Sequence, residues 1–465
     1  MPITAIRRPI PARPILARAI LARAMLALAV LGATPVLAQT EANLAALRGL
    51  RPAALLPGTE AGRAALDANF RITGAIQAGT QRLPTPLPFA EQQQLAVRDA
   101  FITGGNAAQL ADGLGSRLGA SYQSLARYTA PRDFSSAGPA TARLIAYTNA
   151  TTAADSNMGK YVFANGTTDG RTPASPAAAA LLAGPAQTDV LGRAYQRPAG
   201  SDGSDPFGNS RPFQTLPALL PITAPNYFGA PSDNMAQLRG PDTDLRDSPS
   251  FPSGHTTYGT GESMLLALLV PDRYEQMVAR GAEYGHSRIL VGAHYAMDVV
   301  AGRTLALYDV AHLLANDPAY VGQDRRGTTI DDYPAALDAA RAELQAAVGT
   351  ACGDVVPVCA REDTSRFADP AALDAFVAET LTYGLPVVHP ETASGTEDVA
   401  RLAPEAGRLL TVAFPYLSLV QANAILTETE GPGGGFLDDG SGFGVYSRLN
   451  LRAAARKART LAPSQ

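Results

Sequence analysis

The hydrophobic pattern of the chain is helical over most of its length, and no stretch alternates convincingly as a β-strand does. Helix is predicted for Glu41–Arg51 and for most of the stretch from Glu91 to Tyr128, which is interrupted at its glycine pairs. Apolar spacing then predicts three consecutive helices, at Thr256–Val270, from Pro271 towards Gly285, and from about Ala293 to Leu314. We therefore expect a mainly α fold.

The C-terminal part continues the amphipathic helical pattern. Helices are predicted at Pro334–Val348, Asp369–Thr382, Glu397–Ala413 and Ser418–Thr429, and each begins near a residue type that favours helix starts. The glycine-rich stretch Gly431–Gly444 lacks the lysine and hydroxyl of a P-loop and follows no predicted strand. We interpret it as a surface or lid loop.

A long irregular segment precedes the three central helices. Residues 197–252 contain ten prolines, which leave no room for a long helix. Loops of this length in compact domains are usually functional or disordered. Its place directly before the His255 motif favours a functional loop.

The first 38 residues have the pattern of a secretory signal. Five arginines and no acidic residue accompany the apolar run Ala24–Leu37, and small residues precede a cleavage point before Gln39. A membrane-anchoring helix is the alternative. No later window is apolar enough to span a bilayer, so we expect a periplasmic or secreted protein without stable membrane insertion after cleavage.

Composition and charge narrow the class of protein. A hydrophobic fraction of 46% with 17% charged residues is typical of a globular chain. The net charge of −4 becomes −9 without the five arginines of the signal, and only two lysines are present, which argues against nucleic acid binding. In an exported chain, Cys352 and Cys359 predict one local disulfide, with two free thiols as the alternative.

Candidate chemistry is concentrated in the stretch from Pro252 to Asp298, which holds three of the five histidines. His255 follows Pro252-Ser253-Gly254 at a predicted helix start, where unpaired N–H groups and the positive end of the helix dipole favour an anion. Ser253 is expected to cap the helix and donate its hydroxyl, and Gly254 to let a ligand approach the backbone. His255 would then donate a proton. An ordinary serine cap beside a surface histidine is the alternative.

A second group of polar residues ends the predicted second helix and begins the third. His294 and Asp298 are four residues apart and would share one helical face. A carboxylate bonded to one imidazole nitrogen leaves the other nitrogen free as a nucleophile. Arg288 offers a planar fork for phosphate oxygens. A structural His–Asp pair with a surface arginine is the alternative, and His286 is interpreted as a rim or supporting residue.

Together with Arg211-Pro212-Phe213, these motifs resemble a known family. Arg-Pro, then Pro-Ser-Gly-His, then Ser-Arg-x5-His-x3-Asp is the order of the type 2 phosphatidic acid phosphatase and vanadium haloperoxidase superfamily, and the chain is most similar to bacterial nonspecific acid phosphatases. Thirty-nine residues separate Pro212 from Pro252 and thirty-one separate His255 from Ser287, which fits the family. The resemblance implies a helical bundle with long irregular loops.

The resemblance also implies a role for each motif residue. His294 would attack phosphorus and form a phosphohistidine, Asp298 would orient it, and His255 would act first as general acid and then as general base. In the haloperoxidases the position of His294 instead ligates vanadate. No metal would be needed for phosphoryl transfer. The phosphoryl oxygens would be held by four groups: Arg211, Ser253, the Gly254 N–H and Arg288.

One position departs from the family pattern. The lysine expected seven residues before the first-motif arginine is replaced by Ser204. Arg193, Arg197 or Lys160 would have to supply the missing charge, and a second Arg-Pro pair makes Arg197 the first choice. Arg197 is also an alternative for the motif arginine itself.

The resulting hypothesis divides the chain into a signal peptide (1–38), a helical phosphatase domain (39–330) and a C-terminal helical extension packed on the same core (331–465). We expect an exported, metal-independent phosphatase that hydrolyses a small phosphomonoester through a phosphohistidine and has no cofactor. Vanadate would be an inhibitor. The alternatives are a vanadium-dependent haloperoxidase, with vanadate as its cofactor, and a non-catalytic phosphate-binding exported protein.

Overall fold

A computed structural model describes residues 49–463 apart from 54, 101–104, 131–132, 166–210, 213–220 and 235–249, and it leaves out the side chains of 161–165. The predicted signal peptide, Arg193, Arg197, Ser204 and much of the proline-rich segment lie outside the described residues.

The described part of the chain is mainly α-helical, as predicted. Its helices, in chain order, are α1 Glu60–Gln77, α2 Phe89–Asp99, α3 Ser116–Leu125, α4 Pro139–Asn165, α5 Gly254–Leu269, α6 Tyr274–Leu290, α7 Ala296–Leu314, α8 Tyr333–Cys352, α9 Val356–Arg361, α10 Pro370–Thr380, α11 Pro390–Ala393, α12 Val399–Leu402, α13 Arg408–Thr411, α14 Leu419–Glu428 and α15 Leu451–Thr460. Short 3-10 turns lie at Leu56–Gly58, Ala108–Leu114, Pro271–Arg273, Arg366–Ala368, Pro404–Gly407 and Gly444–Arg448.

Two small antiparallel hairpins correct the expectation of a chain without strands. β1 (Tyr128–Ala130) pairs with β2 (Asp133–Phe134), and β3 (Thr223–Pro225) pairs with β4 (Pro231–Asp233). Each strand has at most three residues, too few for an alternating pattern to stand out in the sequence.

Two helix predictions are wrong in extent for identifiable reasons. Glu397–Ala413 is divided into α12, a 3-10 turn and α13, because Pro404 cannot donate the hydrogen bond that would continue α12. The second central helix runs on past Gly285 to Leu290, so Ser287 and Arg288 lie inside α6.

The C-terminal helices share the hydrophobic core of the central ones. One continuous cluster of buried apolar side chains includes Tyr147 of α4, Leu266 of α5, Leu344 of α8 and Ala455 of α15. Residues on both sides of position 330 thus contribute side chains to the same core. The domain boundary drawn there stays a prediction.

The glycine-rich stretch is a loop, but its middle does not lie on the surface. Phe436 is only 3% exposed, and its ring centroid lies 6.4 Å from that of Phe251, two residues before Ser253. This loop therefore packs against the turn that holds the His255 motif.

The predicted pairing of Cys352 with Cys359 is confirmed as a disulfide that joins the end of α8 to α9. Within the described ranges, no helix has both the length and the apolar character needed to cross a membrane.

Candidate active site

The turn that leads into α5 is held by a serine cap and a close helix contact. Ser253 Oγ accepts from the Thr256 N–H at 3.0 Å, and the Ser253 N–H donates to the Asp298 carbonyl at 3.0 Å. The backbones approach closely at Gly302 of α7, where a Cβ would lie 2.5 Å from the Ser253 carbonyl oxygen. α5 therefore begins at Gly254, with first-turn N–H groups that the helix itself cannot pair.

His294 lies in the loop between α6 and α7 and not on a helix, which corrects the assumption that it shares a helical face with Asp298. Gly292, with φ of 76°, turns the chain after α6 in a conformation that only glycine adopts readily. The Ala293 and His294 N–H groups then donate to the Arg288 carbonyl at 3.0 and 3.2 Å. The backbone thereby fixes His294 beside the end of α6.

Asp298 and Ser250 both lie beside one nitrogen of His294. The Asp298 carboxylate accepts from the Tyr295 N–H at 2.9 Å, at the start of α7, and from the Ser250 hydroxyl. His294 Nδ1 lies 3.4 Å from Asp298 Oδ2 and 3.3 Å from Ser250 Oγ. Sequence reasoning missed Ser250, although it stands in the same Pro-Ser-Phe-Pro-Ser-Gly-His phrase.

The other nitrogen of His294 faces two donors. Arg211 Nη1 lies 3.1 Å from His294 Nε2, and His255 Nδ1 lies 2.9 Å from the same atom. A guanidinium can only donate, so His294 Nε2 accepts and the proton of the neutral ring is on Nδ1, towards Asp298. The lone pair of Nε2 therefore points to the space between Arg211 and His255.

Arg288 is fully buried beside this space. Its guanidinium carbon lies 4.6 Å from the centroid of the Tyr284 ring, and one Nη donates to the Ala96 carbonyl at 3.3 Å. It lies close enough to both histidines to lower their pKa values. His286, by contrast, packs between two aromatic rings, at 6.0 Å from Tyr383 and 5.8 Å from Phe376 between ring centroids.

Lys160 is the cation that α4 brings to the site. It is 9% exposed, and its Nζ lies 3.1 Å from the point where a Cβ on Gly254 would be. Its charge lowers the pKa of His255 and of His294. Of the three residues considered for the missing lysine, Lys160 is the one that the described structure places here. Arg197, the first choice, lies outside the described residues.

The electrostatics of the site keep both histidines neutral. Burial is the largest cause that lowers the pKa of His255, followed by Arg288 and Arg211. Burial followed by Arg211 lowers the pKa of His294. Burial raises the pKa of Asp298 to about 7, although the hydrogen bond from Ser250 acts to lower it. Neutral imidazole is the form that a nucleophile requires.

The raised pKa of Asp298 predicts how its replacement changes stability with pH. Folding raises this pKa from 3.8 to about 7, so the folded state keeps a proton that the unfolded state releases. The contribution of Asp298 to the free energy of unfolding is therefore greatest at acid pH and is lost as pH rises towards 7. Asp298→Asn removes this titrating group, so the variant should not lose stability in this way. The difference in unfolding free energy, variant minus wild type, should therefore increase by up to about 1.4 kcal/mol per pH unit between about pH 4 and pH 7.

Urea unfolding across that pH range measures the difference. Asp67→Asn is the matched control, because its carboxylate is 72% exposed in a surface ion pair. A difference between Asp298→Asn and wild type that stays constant with pH would contradict the raised pKa.

Among the described residues, no group of three or more histidine, cysteine or acidic side chains is arranged to hold a metal ion.

Residues 204–316 match the model of the PAP2 superfamily, a range that includes Arg211 and leaves out both Arg197 and Lys160. A non-specific acid phosphatase of Salmonella typhimurium is 44% identical over 69 residues, which is 15% of this chain and 28% of that protein. An acid phosphatase of Zymomonas mobilis is 45% identical over 64 residues, 14% of this chain and 24% of that protein.

A non-specific acid phosphatase of Providencia stuartii is 38% identical over 72 residues, 16% of this chain and 29% of that protein. The chain therefore matches under a third of the length of these relatives. No solved structure matches it. With Arg211, the turn at Ser253 and His294 all inside the matched range, residues 204–316 of this chain match the PAP2 superfamily model and are similar to bacterial acid phosphatases.

Proposed function

We propose that this chain is an exported phosphatase that hydrolyses small phosphomonoesters through a phosphohistidine on His294, without a metal ion. The observation that carries the proposal is the environment of His294 Nε2, which accepts from Arg211 and His255 while Nδ1 faces Asp298. The proposed nucleophilic atom thus lies within hydrogen-bonding distance of both a proton donor and a guanidinium. Similarity to acid phosphatases over part of the chain supports the same reaction.

In the first step, a phosphate group enters between the two histidines and replaces their direct hydrogen bond. His294 Nε2 attacks phosphorus in line with the ester oxygen, and the P–O bond to the leaving group breaks as the N–P bond forms. His255 donates a proton to the departing alkoxide. Asp298 stabilises the charge that develops on the His294 ring.

The cations of the site explain how His255 acquires the proton that it donates. Arg288, Arg211 and Lys160 all lower its pKa when no anion is bound. The negative charge of a phosphate offsets these cations, so the His255 pKa should rise as the substrate binds. The same three cations would hold the phosphoryl oxygens as their charge grows in the transition state.

In the second step, His255 has lost its proton and acts as a base. It takes a proton from water, the resulting hydroxide attacks phosphorus, and the N–P bond to His294 breaks. Inorganic phosphate leaves, the cations again lower the His255 pKa, and His255 releases to solvent the proton that it took from water, so both histidines return to neutral. The cycle uses protein groups for each proton transfer and for each positive charge at the phosphate.

Export is supported by the signal-like pattern of residues 1–38 and by the disulfide, because such bonds persist mainly in oxidising compartments. The similarity to acid phosphatases supports a phosphorylated small molecule as the substrate. The aliphatic, sugar or nucleotide character of the leaving group is open to direct assay.

The proposal is tested by assaying one purified preparation for two reactions. We expect hydrolysis of p-nitrophenyl phosphate that orthovanadate inhibits and that a chelator leaves unchanged. Bromide oxidation by peroxide that requires vanadate, without phosphate release, would overturn the proposal in favour of a haloperoxidase. Phosphate binding without turnover of any phosphomonoester would instead indicate a binding protein.

A further inference from the structure

Helix α4 presents a second polar residue, Ser156, to the turn at Gly254. Lys160 and Ser156 are four residues apart and therefore share one face of α4. Ser156 Oγ lies 3.2 Å from the point where a Cβ on Gly254 would be, and Lys160 Nζ lies 3.1 Å from the same point. The two side chains therefore converge on the start of α5.

The same stretch of α4 also packs directly on the proline of this turn. A Cβ on Gly159 would lie 3.2 Å from Pro252 Cδ. The contacts of Gly159 and Ser156 show that one turn of α4 lies against Pro252 and Gly254. Its polar side chains therefore lie beside the unpaired N–H groups that begin α5.

The hydroxyl of Ser156 differs from the other hydroxyls of α4. Hydroxyls inside a helix usually donate to a carbonyl three or four residues earlier. Thr148 and Thr151 do so at 2.9 and 3.0 Å, and Thr152 donates to the Asn149 carbonyl at 3.3 Å. Ser156 is 1% exposed, yet its Oγ has no hydrogen-bond partner among the described residues.

A buried hydroxyl without a partner is costly, and such groups in native proteins commonly serve a ligand. The Ser156 hydroxyl faces Gly254, where two features favourable to an anion meet. These are the first turn of α5, in which Gly254 directly precedes His255, and the ammonium of Lys160.

We propose that Ser156 binds the phosphoryl group, with its hydroxyl donating to an oxygen that Lys160 also contacts. The inference rests on the proposed function for the identity of the anion. It adds a second hydroxyl donor, besides that of Ser253, to the cations and backbone N–H groups expected to hold the phosphoryl oxygens. Ser156 is outside the family match, which begins at residue 204.

Binding of inorganic phosphate, measured by calorimetry, tests the inference without any need for turnover. We expect Ser156→Ala to weaken phosphate binding about tenfold, the usual result of losing one hydrogen bond to a charged group. Ser156→Thr, which keeps the hydroxyl, should retain most of the affinity. Orthovanadate inhibition should weaken in parallel.

Ser121→Ala is the matched control, because this buried hydroxyl in α3 donates to the Arg117 carbonyl of its own helix. Melting temperatures of the two alanine variants separate lost stability from lost binding. Unchanged phosphate affinity in Ser156→Ala would overturn the inference. So would an effect of Ser156→Ala that disappears in a Lys160→Met background, because Ser156 would then act only by positioning the lysine.

The outcomes for Ser156 and for the proposed function are distinguishable. If wild type binds phosphate in a Ser156-dependent way but hydrolyses no phosphomonoester, the phosphatase proposal fails and this inference stands. If wild type hydrolyses phosphomonoesters and Ser156→Ala leaves phosphate affinity unchanged, the phosphatase proposal stands and this inference fails.

Discussion

His294→Ala is expected to lower kcat for p-nitrophenyl phosphate by at least about a thousandfold, because it removes the atom that attacks phosphorus. Nε2 of this residue is the point at which Arg211 and His255 converge, and no other described side chain has that position. Steady-state kinetics at saturating substrate measure the effect. Retention of kcat within a few-fold of wild type would refute the phosphohistidine mechanism.

The intermediate itself is accessible through His255→Ala. p-Nitrophenolate leaves without much help from a general acid, so this variant should still form the phosphoenzyme. It lacks the base that activates water, so the phosphoenzyme should accumulate. Rapid quench at alkaline pH followed by peptide mapping should find the phosphoryl group on His294. His389→Ala, which changes a histidine paired with Glu391 near the surface, is the control for both experiments.

Lys160→Met should lower kcat/KM for p-nitrophenyl phosphate by about a hundredfold, which is a typical loss for one charged group that stabilises a phosphoryl transition state. The variant also removes one of the cations that lower the pKa of His255 and His294. Both pKa values should therefore rise, and the acid side of the pH–rate profile should move towards higher pH. Full kinetics across pH measure both effects.

The chain supplies a matched control, because its only other lysine is Lys457. Lys457 forms an exposed ion pair with Glu428, so Lys457→Met should leave kcat/KM unchanged. Lys160→Arg should recover part of the lost activity by restoring the charge. If Arg197→Ala causes the loss and Lys160→Met does not, the sequence-based first choice is right and the assignment of Lys160 is wrong.

The grouping of His255, Arg288, His294 and Asp298 was predictable from sequence, because ordered motifs place them together. The details of that grouping were not predictable. His294 was expected on a helix, but a glycine with positive φ ends α6 and leaves His294 in a loop. A spacing of four residues places two side chains on one helical face only if the helix includes both residues.

Lys160 was only one of three cations considered from the sequence, and Ser250 was not considered, for different physical reasons. Lys160 stands on α4, whose alanine- and threonine-rich sequence lacks a clear apolar stripe, and this helix was not predicted. Its position depends on packing against α5, a tertiary contact with no local signal. Ser250 acts through one hydrogen bond to Asp298, and serine before a proline is too common to stand out.

The fold class and the helix starts were easier to predict than the burial of the loops. Helix caps at Asp332, Asp369 and Ser418 begin three C-terminal helices at or within a residue of the predicted starts. The middle of the glycine-rich loop was expected at the surface, yet Phe436 is buried against Phe251. Burial of a loop depends on what covers it, and the sequence of the loop alone does not show this.

The shared core has a practical consequence for anyone who prepares this protein. A recombinant fragment cut to the family match, residues 204–316, would contain His294 and His255 but would lack Lys160 and the residues of α8 and α15 that belong to the same apolar core as Leu266. Such a fragment would expose a large apolar surface and should aggregate. The segment that homology recognises is smaller than the unit that must be expressed to obtain a folded protein.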